Sequence, residues 1–188
     1  MIWEICMANY QTLNYQTKDG QLLEIRHLTL GDENALASFY HQAMHETKHT
    51  LVCSERMHSL DRLQEKIRNA ENSFSEIYLG AFDLTKIIGS LQFRVSLPDH
   101  PWAKHVGEFG MIVLQNHWNQ GIGKRLLQMM EAFAQQINVC RIEAKVRCNN
   151  ERGVTVYKKA GYKIEGIRER GAFIDGQFVD EYFIAKIL

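Results

Sequence analysis

Residues 117–134 read HWNQGIGKRLLQMMEAFA, and the order of elements around this stretch decides the fold. Gly121 and Gly123 stand one residue apart. Beyond them Leu126, Met130, Phe133 and Ile137 recur at helical spacing, with Ile122 one turn earlier, which predicts a helix of about 17 residues. Just before, residues 108–114 (EFGMIVL) are apolar and β-rich, so the order is strand, short loop, glycine pair, helix. Glycine admits backbone conformations and close approaches that a Cβ forbids. A helix mouth offers free N–H groups and a positive dipole end to an anion. The arrangement suits a phosphate-bearing ligand.

Spacing separates the motifs that use such a turn. A Walker loop needs GxxxxGK followed by Ser or Thr. Here Trp118 stands where the first glycine would be, and Arg125 follows Lys124. A dinucleotide fingerprint needs a third glycine where Leu126 stands, with an acidic residue about 20 positions on. Neither motif fits. The plain alternative is a glycine pair that only opens a helix.

At 188 residues the chain is long enough for one domain with a substantial core. Hydrophobic residues make up 45% and charged residues 23%, as in a water-soluble fold. Lys plus Arg equals Asp plus Glu at 22 each, so no global field draws nucleic acid or an anionic membrane. No apolar run reaches the roughly 18 residues of a membrane span. The start MIWEICMANY lacks the pattern of a signal peptide, and Met7 offers an alternative start. Cys6, Cys53, Cys140 and Cys148 form no CxxC pair, and Cys140 and Cys148 lie too far apart along one strand to bridge. Reduced thiols in a cytoplasmic protein are the simplest account.

Along the chain, a hairpin is expected around Asp19 and Gly20. A helix follows from Asp32 as N-cap, with Ala35, Leu36, Phe39 and Ala43 on one face. A second helix is expected over 58–72, strands over 76–83 and 87–97, and the strand before the glycines over 106–114. CRIEAKVRC (140–148) alternates as a half-buried strand. A helix over 150–160 is closed by Gly161, and two strands surround Asp175 and Gly176. The fold class is α+β, a mixed and mainly antiparallel sheet flanked by helices, with a central β-α-β-α-β segment. Residues 1–21 form an N-terminal extension and first strand, and 22–188 the domain.

This order and these residues resemble the GNAT superfamily of acyl-CoA-dependent N-acyltransferases. The family's first signature, Gln/Arg-x-x-Gly-x-Gly/Ala, is matched by WNQGIGK at Gly121 and Gly123, with Trp118 in place of Gln or Arg. The second, Asn-x-x-Ala-x-x-x-Tyr-x-x-x-Gly-Phe/Tyr, is matched at Asn150, Tyr157, Gly161 and Tyr162, with Gly153 in place of Ala. The tail, EGIRERGAFIDGQFVDEYFI, is similar to the ribosomal-protein and polyamine acetyltransferase branches.

The resemblance implies acetyl-CoA as co-substrate. Gln120, Gly121, Ile122, Gly123 and Lys124 would cradle its pyrophosphate. Met111, Ile112 and Val113 would run beside its pantetheine arm, where unpaired strand amides need partners. Asn150 would hydrogen-bond the cofactor or cap the next helix. Tyr157 would protonate the departing thiolate, because a phenol pKa of about 10 lies above that of a thiol. Glu108 is the candidate base, directly or through water, against the alternative of a surface or salt-bridged glutamate. The carbonyl oxyanion would be met by a strand N–H near Ile112 or Val113. Asp180 and Glu181 could draw a cationic acceptor, but read more simply as solvated edge charges.

His41, His45 and His49 recur every four residues, yet no HExxH, CxxC or carboxylate set completes a zinc site; a polar face near the acceptor pocket is the preferred reading, and no metal is expected. The implied activity is N-acetyl transfer to a primary amine by direct attack in a ternary complex. A CoA-binding sensor or adaptor without turnover is the rival, and Tyr157 favours the enzyme. The acceptor, a small-molecule amine or a protein or peptide amine, would be chosen by the first two helices, the loop 96–105 and the final hairpin. A homodimer is left open.

Overall fold

Asp19 and Gly20 do turn the chain. The computed structural model describes residues 12–17, 19–50 and 59–188, and in it Gly20 takes a positive φ of 87° between β1 (Leu13–Gln16) and β2 (Leu22–His27). The two strands pair antiparallel from Leu13↔Ile25 to Gln16↔Leu22. Helix α1 (Glu33–Glu46) follows, with Asp32 at the N-cap position but no side-chain cap bond. The Asp32 carboxylate is taken instead by Arg26, at 2.7 Å, and by the Thr29 amide, at 2.8 Å, which fastens the helix entry to β2. Helix α2 (Leu60–Glu71) is capped by Ser59, whose hydroxyl accepts from the Arg62 amide.

β3 (Glu76–Asp83) and β4 (Lys86–Val95) form the next hairpin, and β5 (Val106–Val113) follows the loop 96–105. Helix α3 runs Ile122–Gln136, 15 residues with Gly121 as N-cap. It is shorter than the periodicity implies because Ile137 already closes the helix as its C-cap. β6 (Arg141–Arg147), α4 (Glu151–Lys159), β7 (Lys163–Ile174) and β8 (Gln177–Ile187) complete the chain.

The eight strands form one sheet in the order β1-β2-β3-β4-β5-β6-β8-β7. β5 and β6 are parallel, as the crossover through α3 requires, and the other neighbours are antiparallel. Helices α1 and α2 cover one face, where Leu36, Phe39, Leu63 and Ile67 pack against Leu28, Tyr78, Phe82 and Leu114. Helix α3 covers the other through Ile122, Leu126, Met130 and Phe133, with Tyr157 of α4 in the same cluster. Burying one such Leu or Phe contributes about 1.5–3 kcal/mol, so this stripe alone outweighs the intrinsic helix propensities.

On β6 the alternation holds for Ile142, Ala144 and Val146, which are buried against the α3 face. Cys140 lies outside the strand and is exposed, and Cys148 is half-buried beyond its end; both are free thiols. Arg147 breaks the pattern: it is a buried residue on the opposite face. Cys6 and Cys53 fall outside the described residues.

Candidate active site

β5 and β6 pair only from Val106↔Arg141 to Glu108↔Glu143 and then part. On its other side β5 stays paired with β4 as far as Gly89↔Val113, and the Leu114 amide donates to Ile88 O at 2.9 Å. Antiparallel ladders alternate, so Leu114, Ile112 and Gly110 turn their backbone groups to β4. Those of Phe109, Met111 and Val113 turn to the side that β6 has left. The expected N–H near Ile112 or Val113 therefore narrows: the Ile112 amide faces its β4 partner Ser90, and the open side holds Met111 and Val113.

An open cleft of about 960 Å³ begins at this gap. Met111, Ile112 and Val113 line it from β5, Gly121, Ile122, Gly123 and Lys124 from the mouth of α3, and Asn150 and Tyr157 from the next helix. The two glycines serve different ends. Gly121 has φ +88°, a left-handed conformation that strains any residue with a Cβ, although a Cβ there would meet open space. Gly123 lies in the first turn of α3, and a Cβ there would press Met111 Cε at 3.3 Å. One glycine makes the turn and the other lets α3 sit close on β5.

Gln120 departs from the expected cradle. Its side chain donates to Asp19 Oδ2 at 3.2 Å, and the residue does not line the cleft. Trp118 does. Its indole N–H donates to Val113 O at 2.7 Å, and the Arg152 guanidinium lies 4.3 Å over its ring. Arg152 also donates to Asn119 Oδ1 at 3.3 Å, so the loop before α3 is joined to the first turn of α4.

Asn150 caps α4: its Oδ1 accepts from the Gly153 amide at 2.9 Å. A Cβ on Gly153 would come within 2.6 Å of Asn150 Nδ2, which accounts for glycine where the resemblance leads one to expect alanine. One helical face further on, Tyr157 is 8% exposed, with its ring 5.6 Å from Phe109 and 5.9 Å from Tyr162. Burial alone pushes its pKa up to about 12.

Glu108 does not line the cleft. It stands where the strands part, and its carboxylate accepts from Arg94 Nε at 2.9 Å and Nη2 at 2.7 Å. Glu181, expected as a solvated edge charge, is buried and accepts from Arg168 at 3.0 Å; Asp180 is exposed and accepts from the Arg170 amide at 2.7 Å.

The histidine row does not form one face. Helix α1 ends at Glu46, so His41 and His45 meet edge to face on it with ring centroids 4.9 Å apart, whereas His49 lies beyond and lines the cleft. Among the described residues no group of three or more His, Cys, Asp or Glu could hold a metal. The loop 96–105 does not line the cleft either. It joins β4 to β5 at the end away from the glycine turn, and its Trp102 is 85% exposed.

The cleft also holds residues that the sequence did not single out. Arg152, Val156 and Lys159 share the α4 wall, a helical spacing visible in the chain. Thr47, His49 and Thr50 come from the segment after α1, which also borders the cleft. No local pattern marks the two threonines; His49 is the last of the histidines that recur every four residues. The segment is held by a Lys48–Asp175 ion pair to the β7–β8 turn and by Arg147, which donates to Thr50 O at 2.9 Å.

Acetyltransferase (GNAT) family sequences match residues 37–162, well over half of the chain, and the chain belongs to that family. An L-amino acid N-acetyltransferase, AaaT, of Escherichia coli (strain K12) is 32% identical over 102 residues, a match spanning 54% of this chain and 62% of that relative. Among solved structures, an acetyltransferase of the GNAT family from Streptococcus pneumoniae superposes with a TM-score of 0.82 at 28% identity, covering 88% of this chain and 99% of that one. The yncA protein of Salmonella typhimurium, solved with its cofactor acetyl-CoA, shares the fold at a TM-score of 0.77 and 16% identity, covering 88% and 94%. Among the described residues no helix is long and apolar enough to cross a membrane.

Proposed function

We propose that this chain transfers the acetyl group of acetyl-CoA to a primary amine by direct attack in a ternary complex. The observation that carries this reading is the open edge of β5 beyond Glu108, which leads into the positive-φ turn at Gly121. An amide-bearing arm can pair with the free backbone groups of Met111 and with the Val113 N–H. A pyrophosphate at its end meets the N–H groups of the first turn of α3, with Lys124 beside them.

In this reading the amine nitrogen attacks the thioester carbonyl. A C–N bond forms, the oxyanion meets the Met111 or Val113 N–H, and the C–S bond then breaks. Tyr157 gives its proton to the departing thiolate. With its pKa near 12 the phenol stays protonated throughout the neutral range. The amine must shed a proton, and Glu108 takes it through water, since its carboxylate stands at the parting of the strands but outside the cleft. Orientation of the two reactants supplies much of the acceleration.

The E. coli relative is named for L-amino acids, so amino acids head the set of acceptors to try. The free thiols of Cys140 and Cys148 suit a reducing cytoplasm. The test is a CoA-release assay across amino acids, peptides and polyamines, with a no-acceptor control for background thiol, beside thermal melting. Acetyl-CoA at 100 times its Kd should add about 2.7 kcal/mol of stability. Stronger stabilisation by NADH or ATP would overturn the reading.

A further inference from the structure

We propose that the acceptor is an amine that also carries a carboxylate, and that the guanidinium of Arg147 holds that carboxylate. The inference rests on the acetyl-transfer reading above and names its substrate class. Ile142, Ala144 and Val146 pack toward α3, so Arg147, at the odd register of β6, projects from the opposite face. It is 7% exposed. Its Nη2 donates to Thr50 O at 2.9 Å, while its Nη1 is buried with no hydrogen-bond partner. The carboxylate across the ladder from it, Glu181, is buried and already accepts from Arg168 at 3.0 Å.

Glu181 is ion-paired with Arg168 alone, so among the described residues the Arg147 charge is left without a paired carboxylate, beside an unmet N–H donor. A buried charge needs a counter-charge, and its donors need acceptors. The position is what gives this excess a use. Thr50, whose carbonyl Arg147 grips, lines the cleft together with His49 and Thr47. The charge of Arg147 also bears on His49. Arg147 itself is not in the cleft wall; its guanidinium stands directly behind Thr50, which is.

A guanidinium fork matches a carboxylate with two parallel hydrogen bonds, a geometry that a lysine does not reproduce. A polyamine would bring only further positive charge to this part of the cleft and would be repelled. A free amino acid presents both groups, an amine for the thioester and a carboxylate for Nη1.

The experiment compares kcat/KM for an amino acid, its primary amide, its decarboxylated amine and a polyamine, in wild type, Arg147→Met and Arg147→Lys. In wild type the amino acid should exceed its decarboxylated amine by at least about 100-fold, because a buried donor left unpaired penalises the analogue. In Arg147→Met that ratio should collapse through a raised KM for the amino acid, while the acetyl-CoA melting shift persists. Arg147→Lys should restore part of the ratio. Equal use of the amino acid and its decarboxylated amine by wild type would overturn the assignment, and that comparison needs no variant. An unchanged ratio in Arg147→Met, with both activities lowered alike, would also overturn it, leaving Arg147 as a strut for Thr50. Turnover of polyamines alone would sink this inference and keep acetyl transfer; no acetyl-CoA shift and no turnover would sink the parent reading.

Discussion

The indole N–H of Trp118 donates to the carbonyl of Val113 at 2.7 Å, across the corner where β5 ends and the loop toward α3 begins. One backbone acceptor on the open edge of β5 is therefore taken by the protein itself, and the turn that presents Gly121 is pinned to the strand. Trp118→Phe keeps a ring under Arg152 and removes only the donor. We expect a loss of about 1 kcal/mol in stability, read from the urea midpoint, and weaker acetyl-CoA binding by about fivefold. Tighter binding would show that the indole had been blocking an acceptor the co-substrate can use.

Gly121→Val places a β-branched residue at φ +88°. The added side chain meets no atom, so the penalty is backbone strain of about 1–3 kcal/mol. The turn should relax toward negative φ and carry the cradling amides away from the phosphate. Acetyl-CoA titration should show affinity lost by at least tenfold in a protein that still melts cooperatively. Unchanged affinity would reduce the pair to a helix start.

Tyr157→Phe leaves the ring against Phe109 and Tyr162, so the fold and acetyl-CoA affinity should hold. Turnover should fall by about 10²–10⁴, the usual worth of a positioned acid. Glu108→Gln should cost less, and activity should partly recover as pH rises and free amine becomes abundant. Full activity in Tyr157→Phe would assign protonation of the thiolate to water.

The same tyrosine sets an alkaline limit. Its folded pKa is raised from 10.0 to about 12, so below pH about 10 the phenol is protonated in both states and its contribution is intact. Between about pH 10 and 12 the unfolded chain gives up a proton that the folded one keeps, and stability falls, by on the order of 2–3 kcal/mol in all. Urea midpoints measured against pH should drop across that window, and less steeply in Tyr157→Phe.

Gly153→Ala sets two effects against each other. Alanine gains about 0.8–1 kcal/mol of helix propensity. Its Cβ would displace the Asn150 carboxamide, now 2.6 Å from that position, and the lost cap costs about 1 kcal/mol. Global stability should hardly move. Hydrogen exchange at the residue 153 amide should quicken, because its acceptor is gone; unchanged protection would mean that Asn150 keeps the bond from another rotamer.

By itself the sequence determined the elements and most of the motif residues that line the cleft. Turns at Asp19 and Gly20 and at Asp175 and Gly176, the 3.6-residue stripe from Ile122 to Phe133, and the two-residue alternation of Ile142, Ala144 and Val146 are local preferences, and local preferences are written in consecutive residues. The glycine pair and the Asn150 to Tyr162 spacing belong to the same level, since each lies within one loop and its helix. Tertiary structure alone decided the rest. The parting of β5 from β6 after Glu108 is a relation between strands with a helix between them, and no periodicity in either strand shows where pairing stops. The turning of Gln120 toward Asp19, the pairing of Glu108 with Arg94 and the burial of Arg147 under Thr50 are contacts between distant segments. They depend on which chain crosses above, so an alternating strand pattern reads Arg147 as solvent-facing when the fold has covered it.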